Sequence, residues 1–505
     1  MGLLAQNITP LPEMHFATAL ALLSIGLGVG YFLLTAIYNV YFHPLRNVPG
    51  PKLWAMTLIP YTRMFLSGKA LREVLELHKA YGPAVRLAPG VVAFSHPDAA
   101  KEIRGHRKAG MGEHGKDPKH LGPLGKTILG ADRANHSRYR RSLAHGFSAQ
   151  VMLDQEPIIK QYVDMFIQKL HDESAGGTKR VDMVQWFNYT TFDIIGDLAF
   201  GEPFGCLEES RYHGWVSLVF SSIKNLTYVA QLQRFALIGP LLRRFVIPKT
   251  LATKLAEHNQ LSAAKVSQRL ARETNRPDFI TAMTTRRGSS KGDELTFDEL
   301  ASHSSLLITA GSETTATALS AAAYYLGTNP RALAILTEEV RTTFSTEGEI
   351  DLLSVQKLPY MLAVLDEAMR MYPPAPGGQP RIICEGGDEI MGMYMPAGTK
   401  VEVWQWATHH NPANFTRPDE FIPERWLGDP RFANDKVEAF QPFSVGSRNC
   451  IGKNLAYAEM RLILARLVWN FDIQVAEESR GWDDRSAFYL LWEKGPMNMY
   501  LKPRS

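Results

Sequence analysis

The sequence predicts a mainly α-helical domain with small β-sheets, an α+β fold, preceded by a transmembrane helix. Three observations carry this prediction. One long uncharged run lies near the start, apolar residues recur at helical spacing through the middle, and short β-like runs do not alternate with helices. Without βαβ alternation, a doubly wound parallel sheet is excluded.

The uncharged run, from Phe16 to Tyr38, reads FATALALLSIGLGVGYFLLTAIY. At about 1.5 Å per residue it spans roughly 35 Å, enough for a ~30 Å hydrocarbon core. A signal peptide has a shorter apolar region behind a basic segment, whereas Glu13 is the only charged side chain upstream here. Residues 1–42 therefore read as a membrane anchor. The GLGVG at 26–30 falls inside the run and is no phosphate loop. Arg46, Lys52 and Arg63 follow the run while no Lys or Arg precedes it. The positive-inside rule then puts the large C-terminal part in the cytosol. The sequon at Asn7 would be lumenal, and those at Asn135, Asn188, Asn225 and Asn414 unused.

Residues 43–52 carry Pro44, Pro49, Gly50 and Pro51 and read as a stiff hinge. Beyond it no composition shift marks another linker, so 53–505 reads as one domain. Helical spacing recurs in Ile158–His171, Tyr212–Lys224, Lys254–Arg272, Phe297–Leu326, Asn329–Phe344 and Leu358–Tyr372. Gly/Pro clusters such as ETNRPD and YPPAPGGQP punctuate them. The β-like runs lie at 84–95, at 381–405, and in the C-terminal FYLLW and MNMYLKP.

The net charge of +4, with no long basic run, excludes a nucleic-acid binder. The three cysteines, Cys206, Cys384 and Cys450, are far apart, so no disulfide framework or zinc pattern exists. Any special cysteine acts alone. The adjacent His409 and His410 cannot share one face of an element and are no metal site.

Cys450 stands in FSVGSRNCIG, a loop ahead of an apolar helical run. A lone cysteine is more often a small buried hydrophobe than a ligand. Here Gly446 and Gly452 permit close backbone approaches, and Arg448 with the following helix N-terminus favours the thiolate. A thiolate beside a flat apolar cofactor can serve a haem iron as axial ligand. The pattern Phe443-x-x-Gly446-x-Arg448-x-Cys450-x-Gly452 resembles the haem-binding signature of the cytochromes P-450. The resemblance implies that Cys450 is the proximal ligand, that Phe443 tunes its sulfur, and that Arg448 meets a haem propionate.

ITAGSETTATAL, 308–319, is a helix with polar residues at its centre, and alone would read as a solvated face. It resembles the family's oxygen-activation motif. Ala310 and Gly311 would then let dioxygen and substrate approach, and Glu313 with Thr314 would relay protons. In LDEAMRMYPP, Glu367 and Arg370 share a helix face. Such a pair is usually superficial, but its flanks are apolar, and Arg425 of FIPERW is a candidate third member. In the family this arrangement is structural. Arg140 and Arg381 match propionate-binding arginines, while Arg138 and Arg141 fit a solvated face or a surface for an acidic electron donor. His136 stands where the family usually has tryptophan, and is a further propionate candidate. PPAPGGQPR and the PERW region further resemble fungal members of secondary metabolism.

The resemblance implies the cytochrome P-450 fold, with haem b between the long helix and the cysteine loop. It also implies an NADPH- and O2-dependent monooxygenase on the cytosolic face of the endoplasmic reticulum. Its electrons come from an NADPH-cytochrome reductase, with cytochrome b5 an optional second donor. The substrate is expected to be an apolar terpenoid or polyketide, touching Leu306–Ala310, Ala375–Gly378, the 212–245 region and SAFYLLW, because these segments carry few charges. A haem-thiolate isomerase or dehydratase, and a non-catalytic haem sensor, are the competing readings.

Overall fold

The computed structural model describes residues 16–108, 110–121, 127–235, 238–272, 276–284 and 294–504. The Asn7 sequon lies outside these residues. Helices form most of the body, and its sheets are small. Each helix expected from apolar spacing is present, with ends shifted by a few residues at most sites and further in one. The expected Phe297–Leu326 is a helix over Phe297–Thr328, started by a capping box between Thr296 and Glu299. The expected Tyr212–Lys224 begins at Gly214 and runs on to Leu232.

One major helix, Met183–Phe200, has no counterpart in the sequence prediction. Nearly every residue in it is buried, so it has no polar face and no amphipathic period to reveal it. It packs along the Phe297–Thr328 helix, hereafter the long helix. Lys453–Asn470 follows the cysteine loop and is buried against the same long helix.

The largest sheet has five strands in the order Ala84–Ala88, Val91–Phe94, Lys400–Val403, Arg381–Ile382, Gly115–Lys116. Its central pair, Val91–Phe94 with Lys400–Val403, is parallel. FYLLW becomes a short ladder, Phe488 opposite Trp492. MNMYLKP becomes Asn498–Pro503, which lies between Arg180–Asp182 and Phe471–Val475.

The anchor helix runs Phe16–Tyr41, and its 18–41 segment has mean hydropathy 2.1 with 6% buried. By length and composition it can cross a membrane. The hinge behind it is fastened to the body. Arg86 donates at 2.8 Å to the Asn39 carbonyl near the helix end, and Asn39 donates to the Met56 carbonyl. Gly50 passes so close to Arg86 that a Cβ would meet its carbonyl oxygen at 2.7 Å. The sequons at Asn188 and Asn414 are buried.

Candidate active site

The cysteine loop is a tight hairpin. The Cys450 N–H donates to the Phe443 carbonyl at 2.8 Å, which folds the loop back on itself. Gly446 has φ +80°, and a Cβ there would lie 1.9 Å from the Arg104 carbonyl oxygen, so only glycine fits. Gly452 differs from expectation. Its φ is −85°, and a Cβ would meet Phe147 and the Cys450 sulfur only at ordinary contact distances. Its contribution is the backbone N–H beside the Cys450 sulfur. The Phe443 ring packs on Tyr457.

Cys206 is buried, Cys384 is half-buried and Cys450 is exposed. Burial among protein atoms still pushes its thiol up, against the Gly452 N–H and the Arg140 charge. The cation acting on the sulfur is thus Arg140, where the sequence suggested Arg448. Arg448 instead pairs with Glu113 and donates to the Ala131 carbonyl at 2.8 Å. Arg140 donates to the backbone and side-chain oxygens of Asn449, both at 2.5 Å.

Arg140, His136, Arg381 and Arg448 converge on one cavity of about 450 Å³. Arg104, Arg107, Arg133 and Arg141 also line it, and Glu113 is the one carboxylate in its lining among the described residues. Arg107 is neutralised by Asp388. Burial, then Arg104 and Arg448, lowers Arg381 to about 9. Lys116, which the sequence did not single out, is pushed well below the ordinary lysine range by burial and by Arg381, Arg104 and Arg448. Burial, then Arg448 and Arg140, lowers His136 to about 4. The Nε atoms of Arg104 and Arg381 have no partner among the described residues. A half-buried cavity with this excess of cations fits a ligand carrying carboxylates. Arg138, by contrast, is turned to Glu299 of the long helix.

On the long helix, Ser302, Leu306, Ala310 and Thr314 form an accessible stripe at a spacing of four, flanked by Ser305 and Thr309. From Ala316 to Leu326 the helix is buried throughout. Gly311 lies off that stripe. A Cβ there would meet Ile195 of the Met183–Phe200 helix at 2.7 Å, so its smallness serves helix packing, not ligand approach. The Thr314 hydroxyl donates to the Ala310 carbonyl at 2.7 Å. Glu313 is buried and paired with Lys494, and no bond to Thr314 is among its contacts. The Glu459 side chain, on the helix after Cys450, bonds Thr315 and so links the two motifs.

The Glu367 network is more extensive than three residues. Arg370 makes a two-point pair with Glu367, both bonds at 2.8 Å, and Arg425 approaches the same carboxylate at 3.3 Å. Trp426 Nε1 and the Ile422 N–H also donate to it. Arg425 is balanced by Asp435. Burial favours the neutral acid, but Arg370 and Arg425 hold Glu367 below its ordinary value. His409 is buried at the edge of this network, with Nδ1 at 3.1 Å from the Arg370 carbonyl oxygen. His410 contacts Asp419 and the Met371 carbonyl. Among the described residues no cluster suited to a metal ion occurs.

A lone accessible cysteine heading one buried helix, an acid and an alcohol on another, and a basic cavity nearby define the class of haem-thiolate oxygenases. The chain belongs to the cytochrome P-450 family, whose model matches residues 48–499. It is 54% identical to a trichothecene C-15 hydroxylase of Fusarium sporotrichioides, over 95% of this chain and 98% of that protein. It is 43% identical to an averantin hydroxylase of Dothistroma septosporum, over 97% and 94%. Both relatives are named as hydroxylases, and the chain is a cytochrome P-450 monooxygenase.

Proposed function

We propose that the protein hydroxylates an apolar terpenoid or polyketide according to RH + O2 + NADPH + H⁺ → ROH + H2O + NADP⁺. The observation that carries this reading is the accessible stripe of the long helix. It starts at Ser302, is apolar at Leu306 and Ala310, and ends at the Thr314 hydroxyl. It thus offers a short apolar wall directly beside one proton-handling group. The hydroxylase names of the relatives support the same chemistry.

Haem b, when bound, supplies dioxygen activation and insertion of one oxygen atom. In this reading Cys450 would hold its iron, and Gly446 lets the cysteine loop pack against the Arg104 backbone. Arg140, Arg381, Arg448 and His136 would hold its propionates. Phe443 and Gly452 shape the loop, and the small, accessible Ala310 would leave room for dioxygen and substrate. Glu313 and Thr314 deliver protons, and Glu367, Arg370 and Arg425 brace the cysteine loop. A Cβ at Gly377 would meet Phe488 at 2.7 Å, and this closeness of the 375–378 segment to the C-terminal ladder supports their serving one substrate site. The NADPH electrons arrive through a membrane-bound reductase.

The anchor helix and the basic residues after it support a single-pass protein of the endoplasmic reticulum with its body in the cytosol. The test is metabolite profiling of a gene-deletion strain, then feeding the accumulated compound to the purified protein with reductase. One NADPH consumed per hydroxylated product is expected. Product formed without NADPH or O2 would establish an isomerase or dehydratase instead.

A further inference from the structure

Lys494 follows the Trp492–Glu493 strand in the C-terminal ladder, and its side chain is 4% exposed. It ion-pairs with Glu313 Oε1 and donates to Thr317 Oγ1 at 2.5 Å. An ammonium group is costly to bury, and this one is held inside by a carboxylate that is itself 3% exposed. Glu313 Oε2 is buried with no partner among the described residues. The two oxygens of one carboxylate are therefore unequal: one is immobilised by the lysine and the other is free to carry a proton.

We propose that Lys494 is a positioning residue for proton delivery. It supplies the counter-charge to the Glu313 carboxylate and fixes Oε1, so that a proton is passed on at Oε2. This rests on the reading of Glu313 as the relay acid. The other titratable groups facing Glu313 are Tyr212, ahead of the 214–232 helix, and Tyr372, at the end of the Pro359–Met371 helix. Both phenols are pushed up by burial, with Glu313 adding to the effect, so both stay protonated and Lys494 is the counter-charge. Because Lys494 lies directly beyond the ladder expected to touch substrate, the same hairpin connects the chamber wall to the acid.

A purely structural clamp between ladder and long helix would need the bonds but not the charge. The test compares Lys494→Met, Lys494→Arg, Glu313→Gln and the Lys494→Met/Glu313→Gln pair in the full-length holoenzyme. In Lys494→Met a protonated-carboxyl stretch is expected in the infrared at neutral pH, absent from wild type and from the double variant. The peroxide formed per NADPH is expected to rise about tenfold, less than the ~10²–10⁴ lost with a proton-transfer group itself, because Lys494 only positions that group. Lys494→Arg, which keeps the charge, should stay ionised and coupled. If Lys494→Met does not fold, Lys494→Arg decides: coupling near wild type supports the proposal, and full uncoupling overturns it. A folded Lys494→Met with no carboxyl band and normal coupling also overturns it. If Glu313→Gln remains coupled, the relay reading itself fails. If Glu313→Gln uncouples while Lys494→Met stays ionised and coupled, only the assignment of Lys494 fails.

Discussion

Arg140 reaches Asn449, the residue before Cys450, with both terminal nitrogens of its guanidinium, each at 2.5 Å. The Arg133–Ala144 helix thereby grips the cysteine loop, and the same charge favours a thiolate at Cys450. Arg140→Ala removes both functions. A charge-assisted bond contributes about 1.5–3 kcal/mol, so haem retention should fall by roughly tenfold or more. The reduced carbon monoxide difference spectrum should shift toward the thiol-ligated form, whereas Cys450→Ala should abolish the thiolate-type band outright. Arg140→Lys keeps charge but not the two-point geometry, and should fall between.

The two glycines of the loop should respond differently. Gly446 has φ +80° and faces the Arg104 carbonyl oxygen, so Gly446→Ala requires the loop to move. That substitution should leave protein largely without haem. Gly452→Ala meets only ordinary contacts and should keep near-normal haem content. Measuring haem per polypeptide in both variants checks the contrast, and equal losses would contradict it.

Glu367 serves Arg370, Arg425, Trp426 and the Ile422 N–H at once, with no exposure to solvent. Removing one member of a buried ion network costs about 3–5 kcal/mol, because the partners stay buried and unpaired. Glu367→Ala should therefore yield aggregated, haem-free protein. Asp435→Asn, which withdraws the second anion from Arg425, should lower the melting temperature by several degrees without preventing folding. A melting temperature unchanged in either variant would contradict the network's role.

Much of this site is legible in the sequence, and the reasons for what is not are specific. Glu367 and Arg370 are three apart on one helix, so their pairing follows from local geometry. Asp435 reaches Arg425 through irregular loop backbone, which no periodicity describes. Gly311 reads as a gap for ligand, but a glycine in a helix gives no direction, and Ile195 belongs to the almost wholly buried helix that had no sequence signature. Lys116 lies in the polar stretch GEHGKDPKH, where nothing marks one charge as buried. Lys494 follows Glu493 in the otherwise uncharged FYLLWEKGPMNMY, and its partner Glu313 lies far away in the chain, so no local spacing pairs them.

Thr314 donates to the Ala310 carbonyl on the accessible stripe and can release that bond to meet a ligand. Thr314→Ala removes the hydroxyl while leaving the apolar wall of Leu306 and Ala310 intact. Substrate affinity should stay within about twofold, and NADPH oxidation should continue with O2 + NADPH + H⁺ → H2O2 + NADP⁺ as its main outcome. Loss of one proton-transfer group typically costs about 10²–10⁴ in the step it serves. Product and peroxide counted together against NADPH give the coupling, and full coupling in the variant would contradict the role of Thr314.

Four histidines set the acid limit of stability. Burial lowers His78, His120 and His136 to about 4 and His409 to about 3. Each is neutral in the fold, while the unfolded chain protonates near 6.5. Between pH 6.5 and 4 the unfolded state binds more protons, so stability falls as pH falls. Each histidine contributes at most about 1.4 kcal/mol per pH unit across that window. Asp366, raised by burial to about 6, acts in the opposite direction, because its folded form holds a proton that the unfolded chain has lost. Asp182, Asp193, Glu339, Glu402 and Glu459, also raised by burial, act with it. But His43, His114, His213, His258 and His303 are lowered by burial like the four, and Glu113, Asp117, Glu299 and Glu367, held low by cations, lose their pairing as pH falls. The melting temperature should therefore decline steadily from pH 6.5 to 4.5. His78→Gln, which removes one of the four away from the basic cavity, should make that decline shallower. A melting temperature flat across this range would show that the four rings take up protons without unfolding.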